Sequence, residues 1–348
     1  MSRKTENIKI STLAYALLSV VVIYIVIIAI LIYGFGSDNW LVKKTAQYIP
    51  FPAAIVGGTH IVTVGEVENN LQAVKQFYEN QDFSSIGMQV DLKTTEGQKR
   101  LKVKEKGIFN KLIENRIVEK LASDHGVVIS KEMINQNVDS EVAQYDSAAS
   151  LTERLHNLYG WNMDDFKDKI VKPDLYREAL KNKIRVTDAD AVKAKAVITQ
   201  AKEALKNKEE FASVARKYSN GESAQKGGDL GWFTADQMIP EIAASAFLLE
   251  KGATSDVIES SLGFHIIKVD DKKTEDGVDK IKISQVFVKT KSFPDWLAEQ
   301  EKNMNVWVFL RGYDWNKGNS SIDFKDAAMR DFENNLDKNS AGDASVLF

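Results

Sequence analysis

The sequence predicts an α+β chain headed by a transmembrane helix. Three observations carry that prediction. Residues Ile10 to Ser37 contain no charged side chain. Between 50 and 183, apolar residues recur at helical spacing. Beyond 190, a glycine-rich loop precedes stretches whose apolar residues alternate at the period of a strand.

The charge-free run STLAYALLSVVVIYIVIIAILIYGFG is dominated by Val, Ile and Leu. About 20 apolar residues at ~1.5 Å each cross a ~30 Å hydrocarbon core. Arg3, Lys4 and Lys9 precede it against Glu6, and Lys43 and Lys44 follow. That bias orients a cytoplasmic N-terminus, leaving the bulk of the chain outside the cytoplasm in a single-pass cell-membrane protein. A cleaved signal peptide is the alternative, though its apolar region is usually only ~7–15 residues. Tyr15, Tyr24 and Tyr33 are spread along the span and define no aromatic belt. Residues 1–9 are read as a cytoplasmic tail, 10–36 as the membrane helix and 37–49 as a polar linker closed by Pro50 and Pro52.

In the segment AAIVGGTHIVTVGEVENNLQ, a short strand, a Gly-Gly turn and a second strand lead into a helix. Val67, Leu71, Val74 and Tyr78 form one stripe on it. A second helix over 107–123 carries Ile108, Leu112, Ile113, Ile117 and Leu121, and Gly126 stops it. Ser130 caps a third. A fourth runs from Met163 to Lys181, with Asp164 and Asp165 at its positive end and Pro173 expected to kink or split it. Two further helices cover 192–219. Residues 264–269 alternate as a half-buried strand, with Phe264 and Ile266 on one face and His265, Ile267 and Val269 on the other. A strand-like run IKISQVFVKT follows at 281–290. The remainder reads as a short helix after Pro294, a hairpin turning at NKGNS, a last helix and a frayed tail from Asp337. Trp307, Phe309, Tyr313 and Trp315 form either a peptide-binding row or core.

Composition narrows the chemistry. The 348 residues carry a net charge of −3, too even for a phosphate-binding surface, so no nucleic-acid partner is expected. Cysteine is absent, which excludes thiol nucleophiles, disulfides and Cys-based metal sites. The 4 histidines, His60, His125, His156 and His265, lack metal-helix spacing. No metal or cofactor is expected.

Two resemblances give these segments meaning. AIVGGTHIVTVGEVENNL, LIENRIVEKLASDHGVVISKEMINQNV and YGWNMDDFKDKIVKPDLYREALKNKI resemble, in order, the N-terminal chaperone domain of SurA-type proteins. FASVARKYS, SAQKGGDLGWF, QMIPE, SAFLLEKGATSDVIES and GFHIIKV resemble the parvulin family of peptidyl-prolyl cis/trans isomerases over about 80 residues. The second resemblance implies a small antiparallel sheet with surrounding helices.

It also implies a site. Parvulins hold the proline ring in an apolar pocket, which maps here to Leu230, Phe233, Met238 and Ile242; the last replaces the family's usual Phe. His265 matches the family's last-strand histidine. The first-strand histidine is missing ahead of the helix at 192–207. IKISQVFVKT resembles that first strand, with Gln285 at the histidine position. A circularly permuted domain explains this, with its first strand supplied from behind and joined as a hairpin; a decayed second copy is the alternative. Gly221 stands where active parvulins usually carry Asp or Cys. Only Lys226 lies near this loop, which argues against a phosphate-directed specificity.

The resulting division is a helical SurA-like domain at 50–185, a parvulin-like domain at 186–290 and a C-terminal extension at 291–348. The expected function is a membrane-anchored foldase acting outside the cytoplasm on unfolded or proline-containing polypeptides, with His265 and Gln285 as its catalytic pair. The alternative is a holdase whose isomerase domain only binds peptide. A structural tether is a third possibility that no residue singles out.

Overall fold

The computed structural model describes residues 10–81, 91–143 and 147–339. The basic tail at 1–9 and the end of the chain from 340 lie outside these residues. The chain divides into two compact units, residues 1–180 with 301–348, and residues 181–300.

The first unit begins with α1 (Ile10–Ile30), which widens into a π turn at Leu31–Phe35 and ends at left-handed Gly36. The stretch expected to be a linker is instead a helix, α2 (Trp40–Tyr48), capped by the Asn39 side chain accepting from the Leu41 N–H. Its polar residues concealed a narrow apolar stripe: Val42 and Ala46 are buried with Ile28, Ile32 and Phe51. β1 (Pro52–Val56) and β2 (His60–Thr63) form the expected hairpin across Gly57 and Gly58, both left-handed.

Thr63 and Glu66 close a capping box on α3 (Val64–Asn80), which buries Val67, Leu71 and Tyr78. α4 (Thr95–Asp124) starts three turns earlier than its apolar pattern suggested. Its stripe is centred on Phe109, Ile113 and Ile117, with Ile108 and Leu112 only half-buried. α5 (Lys131–Val142) is capped by Ser130 and α6 (Ala148–Tyr159) by Ser147. Between α7 (Met163–Phe166) and α8 (Lys172–Thr187), the chain makes a π turn at Lys167–Val171. That wider turn accommodates Pro173, whose nitrogen has no hydrogen to donate, so the helix runs on without an irregular break.

In the same unit β7 (Val306–Val308) adds to the edge of β1, so the three-stranded order is β2-β1-β7. β8 (Tyr313–Asn316) and β9 (Ser321–Phe324) form the hairpin around NKGNS, and α13 (Ala327–Asn339) follows. The aromatic row splits. Tyr313 is buried, donating to Glu105 Oε1 at 3.0 Å, whereas Trp307 and Phe309 are exposed.

The second unit contains the end of α8, α9 (Ala189–Lys206), α10 (Phe211–Tyr218), β3 (Asp229–Phe233), α11 (Pro240–Ala246), β4 (Ile258–Ser260), β5 (Gly263–Glu275), β6 (Val278–Lys289) and most of α12 (Phe293–Asn303). Its antiparallel sheet has the order β3-β6-β5-β4. β6 is therefore internal, and β3 has no other partner in the sheet. The structure thus has the small antiparallel sheet with surrounding helices that the resemblance implies.

Candidate active site

The sheet of the second unit separates two apolar layers. Phe264 and Ile266 of β5, with Val286 and Val288 of β6, pack on Ile198, Ala201, Val214 and Ala215 of α9 and α10. Alternation sends their neighbours to the other side. There Ile267, Val269, Ile281 and Ile283 meet Ile242 of α11, with Phe233 and Met238 half-buried against them. Three of the four proposed ring-pocket residues therefore share one cluster. Leu230 does not join it. A bulge between Asp229 and Gly231 takes it out of the ladder and leaves it 37% exposed.

His265 and Gln285 lie on the side of Ile267 and Ile283. β5 and β6 pair His265 with Phe287 and Ile267 with Gln285. His265 Nδ1 is 3.3 Å from Gln285 Oε1, and its Nε2 is 2.7 Å from Ser260 Oγ. With the Gln285 oxygen accepting, the proton sits on Nδ1 and Ser260 donates to Nε2. The imidazole is 2% exposed and stacks on Phe287 at 4.7 Å between centroids. Burial pushes its pKa below the ordinary histidine value, against weaker upward pulls from Gln285 and Glu241. It is neutral at pH 7. The Gln285 Nε2 amide has no hydrogen-bond partner among the described residues.

The loop after α10 closes the site from the edge of β6. Asn220 N–H donates to the Phe287 carbonyl at 2.7 Å, and Phe287 N–H donates to Ser219 Oγ at 3.0 Å. Gln285 N–H donates to the Gly228 carbonyl at 2.9 Å. Gly228 has φ +87°, and a side chain there would run into the Gln285 backbone. Gly221 faces the Phe287 ring, with room for a Cβ at 3.5 Å. Among the described residues no group of three or more His, Asp or Glu stands close enough to hold a metal ion.

Residues 178–271 match the rotamase family, described as the PPIC-type PPIASE domain. Residues 10–149 match the SurA-like N-terminal domain. The chain carries a PpiC-type rotamase domain behind a SurA-like N-terminal domain. It is 28% identical over 188 residues to the foldase protein PrsA of Bacillus subtilis, covering 49% of this chain and 59% of that protein. It is 26% identical over 306 residues to the PrsA foldase of Clostridium acetobutylicum, covering 76% and 88%. The chain spans only 59% and 64% of the first two PrsA relatives it matches. A solved structure of the peptidylprolyl isomerase PrsA from Bacillus cereus aligns over 72% of this chain and 91% of its own, at 20% identity and a TM-score of 0.22.

The rotamase match ends at residue 271, before β6 begins at Val278. Yet the rotamase domain's sheet runs through β6, which supplies Gln285 and Phe287. Sequence reasoning did not assign Ser260, Phe287 or Ser219 to the site. The signal for Phe287 was available once 281–290 was paired with the His265 strand, since that register puts it opposite His265. Ser260 carried no signal of its own, because only the β4–β5 hairpin brings it to the imidazole.

Proposed function

We propose that this chain is a membrane-anchored foldase that works outside the cytoplasm, catalysing cis/trans isomerisation of Xaa-Pro bonds in unfolded or newly translocated polypeptides. One observation carries the reading. Phe233, Met238 and Ile242 gather on the sheet face that also holds His265 and Gln285, within a rotamase domain. The PrsA relatives named as foldases support the same reading. The apolar helix Ala14–Phe35 supports the anchor.

The reaction asks for no covalent chemistry. An Xaa-Pro bond interconverts over tens to hundreds of seconds across a barrier of ~18–20 kcal/mol, set by lost amide resonance. A site that seats the ring against Phe233, Met238 and Ile242 excludes water, and water favours the planar amide. The unpaired Gln285 amide then donates to the carbonyl as the bond twists. His265 holds the Gln285 oxygen from behind, which fixes the direction of that donor. Leu230 stands at the rim, where it would meet the chain flanking the proline. In this reading β6 is the domain's first strand, supplied from behind by circular permutation.

The second reading is a holdase that binds peptide without turnover. It is favoured by a specific feature: both His265 nitrogens are engaged, and Gly221 offers no side chain. The test is NMR exchange spectroscopy on Xaa-Pro peptides with the full chain in lipid nanodiscs. Faster cis-to-trans exchange that Met238→Ala abolishes supports the isomerase. Peptide binding without acceleration, at high protein concentration, supports the holdase.

A further inference from the structure

At the foot of the first unit, a face of aromatic side chains lies beside the membrane helix. Gly36 reverses the chain, and α2 doubles back along α1. Tyr24 Oη and Thr45 Oγ1 are 2.6 Å apart, although Tyr24 lies well inside the apolar run. Tyr33 donates to the Pro52 carbonyl at 2.9 Å, and Arg311 donates to the Gly34 carbonyl. The helix N-terminal turn of α3 meets α2 at Gly65, where a side chain would run into the Ala46 carbonyl. α2 is thus clamped between the span and the rest of its unit.

Length then sets its depth. Ile28 and Ile32 are covered by this packing, at 2% and 4% exposure, whereas Tyr15, Leu18 and Val21 are open. The part of α1 that precedes its contact with α2, Ile10 to Tyr24, rises about 22 Å, short of the ~30 Å a bilayer core requires, and Val26, Ile27 and Ile30 beyond it stay about half exposed. The remaining depth falls at the level where α2 lies against α1. The outward face of α2 suits that level. Trp40 and Tyr48 are 69% and 80% exposed, Leu41 is open, and Phe35 at the end of the span is 70% exposed. Lys44 points outward without a partner among the described residues, placed for an anionic headgroup. Lys43 turns inward to Asp38 and Glu68, at 3.2 and 3.1 Å.

We propose that α2 lies in the outer headgroup layer of the bilayer that α1 crosses, so that the helical unit stands on the membrane through Phe35, Trp40, Leu41, Lys44 and Tyr48. Aromatic rings with a polar edge favour that layer, and a lysine at its border pairs with anionic lipid. This rests on the anchor reading above. Its consequence is a chaperone domain held at a set height and orientation at the lipid surface.

The cysteine-free chain allows a direct test. Trp40→Cys, Tyr48→Cys and Val21→Cys are made singly in the full chain, labelled with a nitroxide and reconstituted in vesicles of phosphatidylcholine and phosphatidylglycerol. Collision with oxygen, which concentrates in lipid, is compared with collision with a water-soluble nickel chelate. Loss of nickel collision at 40 and 48 relative to free nitroxide, with 21 deeper still, is the expected result. Labels at 40 and 48 as open to nickel as free nitroxide, with 21 in lipid, overturn the footing and leave the anchor standing. A nickel-accessible label at 21 overturns the anchor itself and the footing with it.

Discussion

His265 and Gln285 are diagonal neighbours on adjacent antiparallel strands, with Nδ1 and Oε1 3.3 Å apart. Each stands two positions along the ladder from the other's partner. The contact joins a residue inside the rotamase match to one beyond it.

Met238→Ala should remove one wall of the ring pocket while leaving the sheet intact. We expect kcat/KM for Xaa-Pro isomerisation to fall about tenfold or more, in line with the ~1–3 kcal/mol that apolar contacts in a binding pocket contribute. Exchange spectroscopy reads the rate, and an unchanged circular dichroism spectrum separates it from unfolding.

Gly221→Asp should be tolerated, because a Cβ there meets Phe287 only at ordinary contact distance and Gly221 has no left-handed backbone to lose. Stability should stay within ~0.5 kcal/mol, as for an ordinary surface change. The added carboxylate would stand beside the Phe287 ring, on which His265 stacks, and turnover should rise. A rate that stays flat with peptide affinity unchanged would argue that electrostatics at this loop do not limit the domain.

The pH dependence of stability has a definite sign. Burial lowers the His265 pKa in the folded state below its unfolded value of about 6.5. Between those two values the unfolded chain binds more protons, so stability increases with pH there. The contribution is fully present above the unfolded value and is lost as pH falls toward the folded one. His265→Gln should therefore show a shallower loss of unfolding free energy than the parent chain on acidification from pH 7.5 to 5. Urea titrations at each pH measure the difference.

Gly263→Ala should destabilise the second unit. Gly263 has φ +145°, and a methyl group there would strike the Val288 carbonyl on β6. The strain is of the order of ~1–3 kcal/mol, and it falls on the β5–β6 pairing that positions His265. A lowered melting transition together with weaker isomerisation is expected.

Some of this was legible residue by residue. The alternation at 264–269 placed His265 opposite Phe264 and Ile266, and the two layers of the sheet follow it. Met238 and Ile242 were readable as an apolar wall only through the resemblance of QMIPE and the residues after it to the parvulin pocket. Leu230 was read as a wall as well, and the bulge beside it placed it at the edge. The helix at α2 was hidden because only Val42 and Ala46 face inward, too few to stand out among polar neighbours. Trp307 and Tyr313 looked equivalent in the row of aromatics, yet one is open and the other buried. Composition cannot distinguish two rings whose surroundings come from distant segments.

By itself, the sequence determined the apolar span, the periods of the helices and strands, and the residue types available for chemistry. Those depend on local spacing and on side-chain solubility, which a single chain segment already contains. Only the tertiary structure decided that β6 lies between β3 and β5, that Ser260 and Gln285 close on His265, and that α2 folds back on α1. Each of these joins segments far apart in the chain, where pairing depends on backbone hydrogen bonds and shape complementarity between surfaces that exist only once both have folded.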